Sequence, residues 1–259
     1  MHYLKRILKL RSRKPIPHFL GIGTQKGGTT SLYQILKLHP EVFLPNNKEI
    51  HYFTKHFELG EEWYVNHFNL ARPGQIRGEI TPYYLFHEAV PNRIYQFNPR
   101  MLLIVLLRDP VARTISQYFH SKRLGLENLE LNQALEEESQ RLANIEDIIH
   151  KPDGKHFSYQ EHSYISRSQY DIQLKRYFKL FKKTNILILR SEDLFANKRS
   201  VLNQISQFLK INHFDQNTLI PKANSGNNES ENISEKTKDL IANKLRPTYD
   251  WLEIELGIK

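Results

Sequence analysis

The sequence predicts an α/β fold: a single domain with a central, mostly parallel sheet flanked by helices. After residue 15, short apolar runs alternate with amphipathic stretches, as in chains that wind helices over both faces of a parallel sheet. The run Met101–Leu107 is apolar throughout, which is typical of a strand covered on both faces. The run His18–Gly23 leads into a glycine-rich loop and then a helix, a P-loop-like arrangement that suits a phosphate.

The first part of the domain is expected to contain two strands and two helices. His18–Gly23 is a strand because it is short, apolar and ended by glycine. Thr29–Leu38 is a helix because Leu32, Ile35 and Leu36 recur on one face. The second strand is predicted at Ile76–Ile80 and the second helix at Pro91–Phe97.

The central strand Met101–Leu107 ends in Arg-Asp-Pro, and this tripeptide begins a helix that should reach about Arg123. Asp109 caps that helix and Pro110 takes its first position. The remaining elements are an acidic surface helix over Asn132–Leu142, a polar loop over Lys151–Glu161, a helix over Gln169–Phe181, a strand over Asn185–Leu189, a helix over Val201–Leu209, a polar loop over Asn224–Ser234 and a helix over Lys236–Leu256 that breaks at Pro247.

The composition excludes several classes of protein. The 259 residues include no cysteine, which removes disulfides, thiol catalysis and metal sites built on thiolates. The longest apolar run, Met101–Leu107, is far shorter than the ~20 residues of a membrane helix. No linker divides the chain after a basic N-terminal arm, so we expect the arm over residues 1–15 and one domain over residues 16–259. The arm lacks the apolar region of a secretory signal, and we therefore expect a cytoplasmic protein.

The charge balance favours anionic partners. Lysine and arginine number 37 against 28 aspartate and glutamate residues, a formal net charge of +9. This surplus suits nucleotides, anionic sugars, nucleic acid or a lipid surface, and it does not choose among them. The basic arm is compatible with weak contact with a membrane surface.

The loop between the first strand and the first helix is the most informative segment. Its glycines allow close approach of the backbone, and the helix that follows presents N–H groups and a positive dipole end to an anion. The predicted phosphate-binding residues are Lys26, Gly27, Gly28, Thr29, Thr30 and Ser31. In nucleotide triphosphatases the lysine follows the glycines, whereas Lys26 precedes them. The loop therefore indicates a phosphate held without a metal, and we predict no metal ligands.

A second anion-binding group follows the central strand. Arg108 leaves the carboxyl edge of the sheet, where open α/β sheets bind their ligands, and its planar guanidinium suits a phosphate. Ser116 comes two helical turns later. A helical serine alone is usually solvated or bonded to its own helix, but beside the loop and Arg108 it becomes a candidate phosphate ligand.

Glu49 and His51 are the candidate acid–base groups. In an extended segment, residues two apart point to the same side, which would bring these two side chains together. Transfer of a group to an alcohol needs a base for the acceptor proton within hydrogen-bond reach. Either side chain can take that role.

These segments resemble the sulfotransferase family that uses 3′-phosphoadenosine 5′-phosphosulfate (PAPS). The loop from Lys26 to Ser31 is similar to that family's 5′-phosphosulfate loop, and Leu106–Tyr118 is similar to its 3′-phosphate motif. Lys48–Phe53 and Gly78–Phe86 resemble further blocks of the carbohydrate branch, the heparan sulfate N- and 3-O-sulfotransferases. The resemblance covers residues 18–210 or so.

The resemblance implies a reaction and a role for each residue. A sulfuryl group moves from PAPS to a hydroxyl or amine of a carbohydrate or glycoconjugate, leaving 3′-phosphoadenosine 5′-phosphate (PAP). The loop binds the 5′-phosphosulfate, and Arg108 and Ser116 bind the 3′-phosphate. Glu49 is the base and His51 accompanies it. Lys26 neutralises the charge that grows on the bridging oxygen as the sulfonate leaves.

Two departures from the heparan-type enzymes leave the acceptor open. Ile80 stands where those enzymes carry a lysine associated with the acidic sugar, and their cysteine-bridged loop is missing. Two other functions also remain: a small-molecule kinase, and a non-catalytic module that binds polyanions. The basic cluster that favours such a module comprises Lys175, Arg176, Lys179, Lys182 and Lys183. Nucleic acid is not the expected partner.

Overall fold

A five-stranded parallel sheet lies at the centre of the computed structural model, which describes residues 15–215, 218 and 233–258. The strands are β1 (Phe19–Gly23), β2 (Val42–Phe43), β3 (Ile76–Ile80), β4 (Leu102–Leu107) and β5 (Ile186–Arg190). Their order across the sheet is β2-β3-β1-β4-β5, and each pair of neighbours is parallel. The predicted fold class is confirmed.

The central strands are apolar on both faces, and this pattern explains their position. Leu20 of β1 pairs with Leu103 of β4, and both side chains are fully buried in one core. Phe19 and Ile104 are fully buried in a second core, because successive side chains of a strand point to opposite faces. The two cores hold the strands in register, so the carboxyl ends of β1, β3 and β4 meet at one edge of the sheet.

Helices pack on both cores, and those of eight or more residues agree with the prediction. They are α1 (Thr29–Leu38), α2 (Gly60–Asn66), α3 (Tyr83–Phe86), α4 (Val90–Phe97), α5 (Pro110–Arg123), α6 (Leu131–Arg141), α7 (Glu146–Ile149), α8 (Phe157–Glu161), α9 (Tyr170–Phe178), α10 (Ser191–Ala196), α11 (Lys198–Leu209), α12 (Glu235–Lys244) and α13 (Arg246–Leu256). The bounds of α1 and α5 are those predicted. The break expected at Pro247 is confirmed, because α12 ends before it and it lies in the first turn of α13.

The structure corrects two expectations about the middle of the chain. The predicted loop over Lys151–Glu161 contains α8, whose first turn is capped by Nδ1 of His156 accepting the N–H of Tyr159; the usual capping residues are serine, threonine, aspartate and asparagine. The acidic helix α6 is not a purely surface element. Its Glu138 is 5% exposed and accepts backbone N–H groups from Ile165 and Ser166.

Several short elements are absent from the prediction. β2, α2, α3 and α7 have two, seven, four and four residues, too few for a periodic apolar pattern to emerge. Residues 1–14 of the predicted arm and 224–232 of the predicted polar loop lie outside the described residues. Within the part of the chain that the structure describes, no helix is long and apolar enough to cross a membrane.

Candidate active site

The loop between β1 and α1 is shaped by two glycines with different roles. Gly28 has a φ of 87°, in the left-handed region that favours glycine, and precedes the first residue of α1. A Cβ at Gly27 would lie 2.7 Å from the backbone oxygen of Leu106 and 2.7 Å from Cγ2 of Thr24. The loop therefore packs directly on the end of β4 at Gly27.

Arg108 joins the two predicted phosphate motifs. It follows the last residue of β4, and its Nη1 donates to the backbone oxygen of Lys26 at 3.1 Å. The next residue, Asp109, caps α5 by accepting the N–H of Ala112 at 2.7 Å. The cap fixes the start of α5, and Ser116, two turns along the helix, reaches the same cleft as Arg108.

One cleft of about 230 Å³ brings most of the predicted site residues together. Its lining residues are Gln25, Lys26, Gly28, Thr29, Thr30, Lys48, Glu49, Pro82, Arg108, Ser116 and His120. Among the predicted residues, Gly27, Ser31 and His51 do not line it. Ser31 is buried in α1, and His51 lies beside Glu49. A larger cavity of about 320 Å³ lies along β5, but none of the predicted site residues line it.

Glu49 is held by two basic side chains. Nε2 of His51 lies 3.1 Å from one of its carboxylate oxygens, and Nζ of Lys48 lies 3.3 Å from the other. Burial alone would raise the pKa of Glu49, but the hydrogen bond from His51 and the charge of Lys48 outweigh it and lower the pKa. Glu49 is therefore ionised at neutral pH and can accept a proton.

The predicted extended conformation between Glu49 and His51 is wrong, although the two side chains do meet. His51 has a φ of 58°, so the segment is not extended there. The backbone instead turns, and the oxygen of His51 accepts the N–H groups of Thr54, Lys55 and His56. Nδ1 of His51 lies 3.2 Å from Oγ1 of Thr54, which leaves Nε2 for Glu49.

Lys26 lies in a strongly positive environment. Burial is the main cause that lowers the pKa of its amine to about 8, and neighbouring guanidinium groups add to the effect. These groups belong to Arg123, Arg108 and Arg113. A cation held among cations favours a bound anion, because the anion relieves the repulsion.

Glu79 is a buried carboxyl that the sequence does not reveal as part of the site. It accepts hydrogen bonds of 2.8 Å from the hydroxyls of Tyr64, Tyr84 and Thr81. Burial raises the pKa of Glu79 to about 7 despite these donors. Since the backbone of Ile50 also bonds to it, Glu79 anchors the segment that carries Glu49.

Three further cleft residues, Gln25, Lys48 and His120, were not among the predicted site residues. His120 has a positional signal, because it follows Ser116 by four residues on α5 and so lies on the same helical face. Burial, then the positive charges of Lys26 and Arg123, lowers the pKa of His120. The imidazole is therefore neutral at physiological pH, and either ring nitrogen can be its acceptor.

Comparisons with known proteins identify the family of the chain. Residues 17–249 match the sulfotransferase domain family, and the chain belongs to that family. The membrane-associated sulfotransferase kil1 of Dictyostelium discoideum is 26% identical over 86% of this chain and 64% of its own length. Heparan sulfate glucosamine 3-O-sulfotransferase 5 of Mus musculus is 39% identical over 40% of this chain and 30% of its own length. This chain thus spans less than two thirds of either relative.

Solved structures share the fold. A sulfotransferase from Alicyclobacillus acidocaldarius superposes with a TM-score of 0.74 at 23% identity, covering 94% of this chain and 97% of that chain. The sulfotransferase domain from the curacin biosynthetic pathway gives a TM-score of 0.53 at 12% identity over 94% of this chain and 99% of that chain. The predicted membership of the sulfotransferase family is confirmed.

Proposed function

We propose that the protein transfers a sulfuryl group from PAPS to a hydroxyl or amine of a saccharide or glycoconjugate. The observation that carries the proposal is the single cleft in which Lys26, Arg108 and Glu49 converge. Two of these are cations for a donor with phosphate groups at both ends, and the third is a carboxylate able to take the acceptor proton.

The residues of the cleft fit this donor. The amino end of α1, where the helix dipole is positive, lies at the cleft beside Lys26, Thr29 and Thr30, which suits the 5′-phosphosulfate. Arg108 and Ser116, on the β4–α5 connection, suit the 3′-phosphate. When bound, PAPS supplies the sulfuryl group, and the electron pair of the broken S–O bond stays on its phosphate.

The residues of the cleft then have different tasks. Glu49 takes the proton of the acceptor as the acceptor oxygen or nitrogen bonds to sulfur. His51 and Lys48 orient the Glu49 carboxylate from two sides. Lys26 neutralises the negative charge that develops on the bridging oxygen, and the loop N–H groups hold the phosphate in place.

A saccharide acceptor is supported by the basic surroundings of the cleft and by the relatives. Lys48 lines the cleft, and Lys55 lies nearby. Burial lowers the pKa of Lys55, and the negative charges of Glu161 and Glu49 partly offset this lowering. Curated relatives in the matching region include heparan sulfate 3-O-sulfotransferases. Ile80 stands where those enzymes carry a lysine associated with the acidic sugar. Ile80 is 1% exposed and packs in the core against Gly21, so it cannot contact an acceptor. Lys48 and Lys55 are therefore the candidate partners for an acidic sugar.

The basic cluster over the end of α9 and the residues after it gives little support to a polyanion-binding module. Lys175 pairs with Asp171, and Arg176 pairs with Glu88. Lys183, after α9, lies 3.8 Å from a carboxylate oxygen of Glu255. Cations that already face carboxylates offer less attraction to an external anion.

The proposed function is tested by transfer of labelled sulfonate from PAPS. Desulfated heparan oligosaccharides, chondroitin, a glycolipid and a phenol are offered in turn, in the presence of a metal chelator. We expect transfer to a saccharide and binding of PAP. Turnover of ATP that stops with the chelator would instead support the kinase. Thermal stabilisation by an oligonucleotide, with none by PAP, would support a polyanion-binding module.

A further inference from the structure

Arg167 is a buried cation without an anionic partner among the residues that the structure describes. It is 2% exposed, its Nη1 donates to Oε1 of Gln25, and its Nη2 donates to the backbone oxygens of two residues of α8. Its Nε–H is buried and has no hydrogen-bond partner among the described groups. An unpaired buried charge is costly, so a buried Arg167 beside the cleft indicates that this residue has a function.

Two aromatic rings hold the guanidinium in place. The guanidinium carbon lies 5.0 Å from the ring centre of Tyr83 and 4.8 Å from that of Phe86. Both rings belong to α3, directly after the β3 segment that contains Glu79. Cation–π contacts and hydrogen bonds to α8 therefore fix Arg167 from several directions.

The contact with Arg167 sets the polarity of the Gln25 amide. A guanidinium has five donors and no acceptor, so the group of Gln25 that faces it must be the amide oxygen. The amide nitrogen then points elsewhere, and no acceptor among the described residues takes its hydrogens. Gln25 lines the cleft next to Lys26. The arrangement thus presents a neutral donor where an anion is expected to bind.

We propose that Gln25 donates a hydrogen bond to the sulfuryl oxygens of the donor and that Arg167 is the positioning residue that keeps this amide in the donating orientation. The inference rests on the proposed function of the cleft. It gives the buried Arg167 a role, because a permanent cation excludes the flipped amide. A neutral partner such as a serine would accept either orientation.

Two ligands that differ only in the sulfuryl group test the role of Gln25. Calorimetry on the full chain compares PAPS with PAP, which lacks that group. Gln25→Leu should weaken PAPS about tenfold, the usual loss for a hydrogen bond to a charged group, and leave PAP within twofold. Gln25→Glu keeps an oxygen toward Arg167 but replaces the donor by an acceptor, so it should weaken PAPS more than the leucine variant does. Gln207→Leu, on the exposed face of α11, is the matched control and should change neither affinity.

A double-mutant cycle tests the positioning role of Arg167. Arg167→Met should weaken PAPS about tenfold in the wild-type background and by less than twofold when Gln25 is already leucine. A merely structural role would produce the same loss in both backgrounds and would weaken PAP equally. Arg167→Lys retains the charge but lacks the planar fork, and should recover only part of the affinity.

The outcomes separate the two levels of the proposal. The inference is overturned if Gln25→Leu loses affinity for PAPS and PAP equally, or loses none. It is also overturned if Arg167→Met has equal effects in both backgrounds. If Arg167→Met does not fold, the comparison of Gln25→Glu with Gln25→Leu still decides, since equal affinities for PAPS would overturn it. A wild-type chain that binds no PAPS would overturn the proposed function itself.

Discussion

Nε2 of His51 lies 3.1 Å from Oε2 of Glu49, while Nζ of Lys48 lies 3.3 Å from Oε1 of the same carboxylate. Each carboxylate oxygen therefore already accepts a hydrogen bond. The substrate that receives the sulfuryl group must share one of these oxygens when it enters the cleft. The Lys48 contact is the one more easily exchanged, because a lysine side chain is flexible and Lys48 itself lines the cleft. His51 is held by Thr54 and can keep the carboxylate oriented during this exchange.

Glu49→Gln should remove the base while keeping the shape of the side chain. We expect turnover to fall by ~10²–10⁴, the range that a positioned general base supplies. Affinity for PAP should barely change, because Glu49 lies outside both phosphate motifs. Single-turnover transfer and calorimetry with PAP measure the two quantities separately.

His51→Ala is the matched comparison for Glu49→Gln. It should cost less turnover, because it removes one donor to the carboxylate and leaves Lys48 as the other. A near-normal single-turnover rate in Glu49→Gln would show that another residue is the base. The remaining candidates would be His51 and the neutral His120, which lines the same cleft.

Lys26 should make the binding of PAP depend on pH. Its pKa is lowered to about 8, chiefly by burial, so the free protein loses this charge as the pH rises through that value. A bound phosphate favours the charged amine, and affinity should therefore be level from about pH 7, where the phosphates of PAP are largely ionised, to pH 8 and fall above it, with proton uptake on binding near pH 8. Calorimetry in buffers of different ionisation enthalpy measures that uptake.

Lys26→Arg provides the control for this pH effect. Arginine stays charged over the whole range, so the decline in affinity and the proton uptake should both vanish. If the arginine variant shows the same decline as the wild type, the titrating group is another residue.

Arg108→Ala should discriminate between ligands with and without a 3′-phosphate. Loss of charge-assisted contacts worth ~1.5–3 kcal/mol should weaken PAP about 10–100-fold. Adenosine 5′-phosphosulfate should lose much less, and its smaller loss reports the contact between Arg108 and the backbone oxygen of Lys26. Equal losses for the two ligands would reject the assignment of Arg108 to the 3′-phosphate.

The sequence could predict that the candidate phosphate ligands lie together, because their placement follows from local rules. Lys26 lies in a strand–loop–helix turn, and Arg108 follows a fully apolar strand. Parallel strands that are neighbours bring their carboxyl ends together, so these two residues had to meet. The part of the cleft around Lys26 and Arg108 therefore follows from the order of residues along the chain.

The rest depends on contacts between distant parts of the chain. Arg167 and Gln25 are separated by 142 positions, and no periodicity links them. Glu79 occupies a strand position, but only the packing of Tyr64 and Tyr84 around it shows that it is enclosed. The side chain of His51 lies beside Glu49 as expected, but the turn that brings it there has a positive φ, which is uncommon at a residue other than glycine.

Glu79 should make the stability of the protein fall as the pH rises from 4.5 to about 7. Burial raises the pKa of this carboxyl from 4.5 to about 7, so over this interval the folded state binds a proton that the unfolded state has released. The effect is complete well above pH 7 and amounts to roughly 3–4 kcal/mol, since each pKa unit corresponds to about 1.4 kcal/mol. The side chain of Glu79→Gln cannot ionise. Chemical denaturation should therefore show that the free energy of unfolding of the variant rises relative to that of the wild type across this interval.

The exposed Glu136→Gln on α6 is the control for removing one negative charge, and its free energy of unfolding should show no such relative rise. Parallel profiles for the wild type and Glu79→Gln would mean that the enclosed carboxyl is ionised throughout, held by Tyr64, Tyr84 and Thr81 more strongly than burial opposes it.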